Sequence, residues 1–342
     1  MTIQSLRVLH VTECWSTGVA RAIMSIVAAS QDHEHHLLYI GFEEPPTDAK
    51  FATVTELPAG HVRRIAAVRR HTTRLDPDVV HLHSSWAGVY GRVRRLPVGY
   101  VVYQPHCFAF EDTTRPRVQR AVFRRAERFL GRNMNALAAV SERERLLGNE
   151  LAPNARVVLV PNRSDLEYVE VRPISANGAR RVVMSGEIRA QKDPTMFAQI
   201  AEAASGLGLE FVWIGDGDQS QRALLEAAGV EVTGWVDKHE MQVELDRAAL
   251  YLHTARYEGF PLSVLDAAAR KVPLLIRRSP AFEDIGLSTF ETVAEAAGLL
   301  AEHVGDRSSL PTDNVGRVRA LFAPERVASA ALELYEHGVG SR

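Results

Sequence analysis

The 342-residue chain has only two cysteines, Cys14 and Cys107, too few for a disulfide framework or a cysteine zinc site. Free thiols in a reducing compartment fit that usage. No apolar run approaches the roughly 18–20 residues of a membrane span. The opening MTIQSLRVLHVTE has no apolar signal-peptide core with a cleavage site and leads directly into a strand-like segment. A cytoplasmic protein is therefore expected. A G-x-G-x-x-G turn is also missing, so the dinucleotide fingerprint is excluded. GDG at 215–217 follows a strand, but alone it reads as a tight turn.

What is present is ordinary globular composition, 46% apolar and 24% charged. The length exceeds one ordinary core, so two domains are expected. Net charge is −2, but it is uneven. Residues 1–167 carry 22 Lys/Arg against 17 Asp/Glu, and the remainder carries 18 against 25. Within 63–132 the count is 15 to 5. A basic surface in the first half could attract anionic lipid or nucleic acid. No nucleic-acid motif accompanies the charges, so nucleic acid is not an expected partner.

Short apolar runs alternate with helical patterns. LRVLHVT, HHLLYIGF, DVVHLH, GYVVYQPH, ALAAVS and RVVLVPN read as strands, and so do RVVMSG, LEFVWIG, VEVTG, LYLHT and VPLLI after the polar segment 172–180. Most runs are continuous rather than alternating, as strands covered on both faces require. The pattern predicts two parallel-sheet α/β domains, 1–168 and 169–322, and a C-terminal helix over 323–342. Ligands in such sheets bind beyond the carboxyl ends of strands. That selects ECWSTGV, HSSWAG (83–88), PHCFAF (105–110), SGEIRAQKDP (185–194) and ARYEGFPL (255–262). Two such domains facing each other would enclose a cleft.

In SGEIRAQKDP the strand ends at Gly186, and Asp193-Pro194 reads as a helix N-cap and first helical residue. Arg189 and Lys192 precede that helix, an arrangement suited to a diphosphate. In ARYEGFPLSVLDAAARKVP a helix starts near Pro261-Leu262, and its free N–H groups suit a phosphate. Gly259 permits close backbone approach. Glu258 lies just before the helix and Asp266 about one turn inside it. The order suggests hexose at Glu258, diphosphate at the helix end and ribose at Asp266.

At these residues the sequence resembles the family 4 glycosyltransferases of the GT-B fold. RVLHVTECWSTGVAR, DVVHLHSSWAGVYGR, VVYQPHCFAF, LAAVSERER, VPNRSD, VVMSGEIRAQKDP, FVWIGDGDQ, VTGWV and HTARYEGFPLSVLDAAARKVP stand in family order, to about residue 285. The resemblance implies two facing Rossmann-like domains with a cleft between them, the final helix crossing back to the first. It implies retaining hexose transfer from a nucleotide diphosphate sugar, UDP-linked in preference to GDP-linked, without metal or covalent cofactor. Donor contacts would come from the second domain and acceptor contacts mainly from the first. Glu258 and Asp266 match the paired acids, Lys192 the diphosphate lysine and His106 the histidine near sugar and acceptor. Gly18 matches the first glycine-containing loop. Gly186, Arg189, Gly259, Phe260, Pro261 and Leu262 complete the implied donor set. Catalysis would rest on His106, Glu258 and Lys192.

Three positions depart from the family pattern. Asp266 is one methylene shorter than the usual Glu. Glu187 stands where the family has a diphosphate-binding Arg; Arg189 could replace it, or Glu187 could pair with Arg189 or Lys192. Arg163, in PNRSD, replaces a common glycine. These departures keep a second class open, a GT-B-shaped nucleotide-binding or partner protein with weak catalysis.

RPRVQRAVFRRAERFLGR (115–132) reads as a basic helix, with Arg117, Arg120, Arg124 and Arg128 on one face and Val118, Val122, Phe129 and Leu130 near another. The ordinary expectation is an apolar stripe on the core. The alternative is an anionic membrane surface at its inner face and a lipid-linked or other glycan acceptor. A soluble small-molecule acceptor is the remaining choice. Trp15, Trp86 and the TGWV loop (233–236) are further candidate ligand walls.

Overall fold

The computed structural model describes residues 5–41, 44–46, 50–172, 180–305 and 313–339. The interior of the expected 172–180 linker lies outside them. The chain divides into two units, residues 1–163 with 323–342, and 164–322.

The first unit contains β1 (Arg7–Trp15), α1 (Thr17–Ala29), β2 (Glu34–Gly41), β3 (Phe51–Glu56), α2 (His61–Leu75), β4 (Val79–His83), α3 (Ser85–Arg92), β5 (Tyr100–Gln104), α4 (Arg117–Leu130), β6 (Ala136–Ala139), α5 (Glu142–Leu151) and β7 (Arg156–Leu159). The second contains β8 (Arg181–Ser185), α6 (Pro194–Ala203), β9 (Glu210–Ile214), α7 (Gln219–Ala227), β10 (Glu231–Val232), α8 (Lys238–Arg247), β11 (Ala248–His253), α9 (Leu262–Ala269), β12 (Leu274–Arg277), β13 (Thr289–Phe290), α10 (Val293–Gly305) and α11 (Asp313–Leu321). A last helix, α12 (Pro324–Val339), belongs to the first unit.

The sheets are ordered β3-β2-β1-β4-β5-β6-β7 and β10-β9-β8-β11-β12-β13. Their strand pairings are parallel. The central strands β4, β5 and β11 are buried at every position, the physical reason that their sequences run apolar without alternation. Two edge strands escape that pattern. In β3, FATVTE, no residue is buried, and β13 spans two residues. Neither buries enough to require a hydrophobic run.

In the first sheet, one face presents Leu9, Val11, Val80, Leu82, Val101 and Tyr103 to side chains of α2, α3 and α5. The other presents Val8, Val79, Tyr100 and Val102 to Ile26 of α1 and to Ala330, Ala331, Leu334 and Tyr335 of α12. Burying side chains such as Leu334 contributes about 1.5–3 kcal/mol each, enough to hold the terminal helix on this sheet. Tyr335 also hydrogen-bonds His81 (OH to Nδ1, 2.8 Å).

The orientation of α4 reverses the ordinary expectation. Arg120 Nε donates to the Phe110 carbonyl (2.7 Å), and Arg124 pairs with Glu150 (2.5 Å). Phe123, Glu127 and Leu130 face the domain. Val118, Val122 and Phe129 are 76%, 54% and 60% exposed. The inner face is partly ionic because Glu127 receives Arg92 (2.9 Å) and the Tyr103 hydroxyl (3.1 Å), with the Arg92 guanidinium over the Tyr103 ring. These contacts satisfy a buried charge that would otherwise be costly. Among the described residues, no helix is long and apolar enough to cross a membrane.

Candidate active site

In the second unit, two loops at the carboxyl ends of β8 and β11 are joined by side-chain and backbone bonds. Arg256 N–H donates to the Gln191 carbonyl (2.9 Å), and Gln191 Nε2 donates to the Tyr257 carbonyl (3.0 Å). The Thr254 hydroxyl donates to the Lys192 carbonyl (2.8 Å). Lys192 Nζ meets Glu258 Oε1 at 2.6 Å, both side chains largely buried. Gln191 Nε2 also reaches Glu258 Oε2 (3.3 Å). Lys192 and Glu258, far apart in sequence, thus meet in one polar contact.

Gly186 makes that contact possible. Its φ is +139°, and a Cβ there would lie 3.0 Å from Lys192 Cε. The Trp213 indole N–H donates to the Gly186 carbonyl (2.9 Å) and fixes the turn. Just past β9, Gly215 has φ +140°, and its Cβ would fall 2.3 Å from the Gly186 carbonyl oxygen. Only glycine fits either place without strain.

Asp193 organises the loops, a role hidden in the sequence beyond its N-cap position. Its backbone is left-handed (φ 54°), and its carboxylate accepts from Met196 N. It also takes Arg256 (2.8 and 2.9 Å) and Arg277 (2.6 Å). Burial alone would raise its pKa, but hydrogen bonds and charge from Arg256 and Arg277 outweigh this and hold it below the usual value. One carboxylate therefore ties together the start of α6, the β11–α9 loop and the end of β12.

The other donor-side candidates divide into three kinds. Arg189 pairs with Glu187 (3.2 Å) at the surface and also with Gln191. Glu187 is thus held by Arg189 rather than by Lys192. Gly259, Phe260, Pro261 and Leu262 are buried at the entry to α9. The Phe260 ring is committed to the core, stacked on Phe322 (3.9 Å) and edge-on to Phe282. Pro261 is the N-cap of α9 and supplies no side-chain acceptor, so the dipole end of this helix is left to backbone groups. Asp266 is 2% exposed and accepts from the Ser164 hydroxyl (2.6 Å).

The first unit holds Gly18 and His106. The loop expected after β1 is nearly absent, since β1 runs to Trp15 and α1 starts at Thr17. Gly18 therefore lies in the first turn of α1. The cause is Trp15, which is buried edge-on to Tyr39 and Phe51 and prolongs the strand. This also removes Trp15 from the candidate ligand walls. Trp86 and Trp235 are 49% and 60% exposed. Trp86 lies over His61 (4.2 Å), beside a Glu13 carboxylate that accepts from Ser84 Oγ, Trp86 N and Ala87 N (2.7–2.9 Å).

His106 and Cys107, just past β5, have φ of +55° and +115°, and Ser84, just past β4, has φ +77°. Such backbone costs on the order of 1–3 kcal/mol per residue and clusters at functional sites. Burial pushes the His106 imidazole down to about 3. Its Nε2 lies 3.2 Å from His83 Nδ1.

Two parallel-sheet α/β units, each with strained or glycine-dependent turns at strand carboxyl ends, are the architecture that the solved glycosyltransferases of the GT-B fold share with this chain. The Glycosyl transferase 4-like domain matches residues 17–163, and the Glycosyl transferases group 1 domain matches residues 179–305. The chain belongs to the family 4 glycosyltransferases. It is 25% identical over 224 residues to the UDP-Gal:alpha-D-GlcNAc-diphosphoundecaprenol alpha-1,3-galactosyltransferase of Escherichia coli, a match covering 58% of this chain and 57% of that protein. The chain thus spans little more than half the length of this curated relative. Among solved structures, sucrose-phosphate synthase from Thermosynechococcus elongatus superposes with a TM-score of 0.79 at 15% identity, covering 98% of this chain and 100% of that one. HepE from Anabaena, in complex with UDP and glucose, gives 0.75 at 12%, with the same coverage. At these identities the structural likenesses establish the fold.

Proposed function

We propose that the chain transfers a hexose from a UDP-sugar, with retention and without a metal, to a lipid-linked glycan in cell-surface polysaccharide synthesis. The observation that carries the reading is the Lys192–Glu258 contact beside the N-terminus of α9. A cation, a helix dipole and an acceptor of sugar hydroxyls share one small region there. Lys192 and the α9 N–H groups would take the negative charge growing on the departing diphosphate. Glu258, released from Lys192 by the incoming phosphate, would accept from hexose hydroxyls. Asp266 would serve the ribose, exchanging its bond to Ser164 for a diol. As the sugar–phosphate bond ionises, an oxocarbenium-like carbon is attacked on the face the phosphate leaves. The leaving phosphate oxygen takes the acceptor proton, and His106 orients the reacting hydroxyls.

The name of the Escherichia coli relative specifies a UDP-galactose donor and a diphosphoundecaprenol-linked acceptor, which supports a UDP-sugar and a lipid-linked acceptor here. The exposed Val118, Val122 and Phe129 on an arginine-rich helix favour a membrane-surface acceptor over a soluble one. The first test is thermal shift with UDP, GDP and ADP, then UDP release from UDP-galactose with and without EDTA. Ligand at one hundred times its Kd adds about 2.7 kcal/mol of stability. A selective rise with UDP and EDTA-insensitive turnover support the reading. No response to any nucleotide overturns it in favour of a partner protein without donor binding.

A further inference from the structure

The inference concerns four histidines of the first unit, three on neighbouring strands and His106 in the turn after β5, and rests on the reading of His106 as a residue that meets substrate. His10 on β1 pairs in register with His81 on β4, and His83 lies two residues further along the same face. His35 on β2 pairs with Val8, which shares that face of β1. The sheet twist and the turn after β5 bring His106 to the end of this row.

The contacts run in sequence. His35 Nε2 lies 2.9 Å from the Ser30 carbonyl oxygen. His35 Nδ1 lies 3.0 Å from His10 Nε2, and His10 Nδ1 lies 3.0 Å from His83 Nε2. His83 Nδ1 lies 3.2 Å from His106 Nε2. Ring centroids are 5.2, 5.3 and 5.5 Å apart along these three steps. Each separation exceeds the corresponding N···N distance by nearly two full ring radii. The bonds therefore lie along the ring planes, lone pair to N–H, head to tail.

Proton bookkeeping gives one solution. A carbonyl oxygen only accepts, so His35 Nε2 carries the proton. The Ser30 hydroxyl gives its own proton to the Ile26 carbonyl (2.7 Å) and can only accept from the same nitrogen (3.2 Å). A neutral imidazole has one N–H, so His35 Nδ1 is bare and His10 Nε2 must donate to it. The same step repeats at His83 and ends at His106. Burial favours the neutral form of each ring, with His35 pushed down to about 4 and His10 and His83 well below their usual value.

We propose that Ser30, His35, His10 and His83 are positioning residues that lock His106 in the Nε2–H tautomer, leaving Nδ1 as the acceptor it offers to a substrate hydroxyl. His106 then receives a hydrogen bond from a substrate hydroxyl and does not donate one. The row ends on a peptide carbonyl, which cannot take up a proton, so it fixes a tautomer and exports nothing. His81 is off the row, with its ring face against His83 (3.9 Å) and Nδ1 on Tyr335.

A metal is the competing occupant. Ligand nitrogens of His10, His81 and His83 lie within 4.8 Å of one another, and an ion there would replace the proton between His10 and His83. The facing geometry of those two nitrogens favours the proton, because ligand lone pairs would converge on a third point.

The test is long-range 1H–15N correlation spectroscopy of histidine-labelled, ligand-free full chain, with metal analysis of the same sample. The expected spectrum has His35, His10, His83 and His106 all as Nε2–H. His35→Phe should leave His106 as a tautomer mixture and lower kcat for UDP release from UDP-galactose by about tenfold, with KM little changed. His81→Gln should leave the His106 tautomer intact. A His106 Nδ1–H signal in the wild type, stoichiometric zinc, or a His106 tautomer unmoved in His35→Phe overturns the proposal. The wild-type spectrum needs neither turnover nor a folded variant. Four Nε2–H rings in a chain inactive on UDP-galactose uphold the tautomer assignment and count against the functional reading. An active chain with His106 as Nδ1–H does the reverse.

Discussion

The Lys192 ammonium sits 2.6 Å from Oε1 of Glu258, the two side chains 14% and 12% exposed, so each charge is neutralised by the other before any donor arrives. A diphosphate must compete with that carboxylate for Lys192. Glu258→Gln removes the competitor, and binding of free UDP should tighten severalfold by calorimetry while hexose transfer falls by about a hundredfold. Lys192→Ala should weaken UDP binding by about tenfold, roughly 1.4 kcal/mol. Equal losses of UDP affinity in both variants would place the pair in scaffolding rather than in the donor site.

Glu187, where the family has an arginine, is paired with Arg189, and both are about half exposed. An exposed pair of this kind contributes about 0–1 kcal/mol, so it is easily broken. Glu187→Arg should therefore leave the melting temperature within a degree or two and tighten UDP binding by a few-fold. Weaker binding in this variant would show that Glu187 keeps Arg189 in a useful position.

The sequence made the fold class legible because strands such as LEFVWIG and VPLLI are largely buried and read as unbroken apolar runs. FATVTE was not legible because β3 is an edge strand with no buried residue. The α4 orientation was missed because periodicity locates an apolar stripe without saying which side meets the core. Here an Arg92–Glu127 pair takes the inner side. At the candidate site, Lys192, Glu258 and the Asp193 cap stood out by local spacing. The Asp193 link to Arg256 and Arg277, and the histidine row, depend on strand order. In sequence His10, His35 and His83 are single residues on separate strands.

Asp193 holds three elements with one carboxylate. Asp193→Ala removes the cap on Met196, worth about 1 kcal/mol. It also removes charged bonds to Arg256 and Arg277, worth about 1.5–3 kcal/mol each before solvent compensates the partly exposed Arg256. A loss of roughly 3 kcal/mol in the unfolding transition of the second unit is expected by urea titration. Asp193→Asn keeps the cap and tolerates the left-handed backbone, so it should fall about midway. It should also weaken UDP binding if tethering the two loops shapes the site.

The outward face of α4 predicts membrane partition. Val122→Glu combined with Phe129→Glu alters exposed side chains, so stability should change by less than about 0.5 kcal/mol each. Flotation with vesicles containing anionic phosphatidylglycerol should fall at least about tenfold, from lost apolar insertion and added repulsion. Raising salt should weaken wild-type binding through Arg117, Arg125 and Arg128. Flotation independent of anionic lipid would remove the membrane from the acceptor reading.

The buried histidines fix the sign of the acid response. His106 and His35 are pushed down to about 3 and 4 by burial, from an ordinary value of 6.5, and His10, His81 and His83 are lowered well below it. Between about pH 4 and 6.5 the unfolded chain binds more protons at these sites than the folded one. Stability therefore rises with pH through this window and is lost on acidification, each histidine adding a slope of up to about 1.4 kcal/mol per pH unit. Glu144 works in the opposite direction. Burial raises it from 4.5 to about 8, so the folded state holds its proton more tightly, and that contribution is lost as pH rises from about 4.5 to 8. Glu144→Gln should accordingly gain stability over the wild type as pH is raised from 5 to 8. His10→Phe should flatten the wild-type loss below pH 6.5. The opposite slopes, read by urea denaturation across pH 4–8, separate the two groups. A wild-type stability flat below pH 6.5 would mean that these imidazoles are charged in the fold.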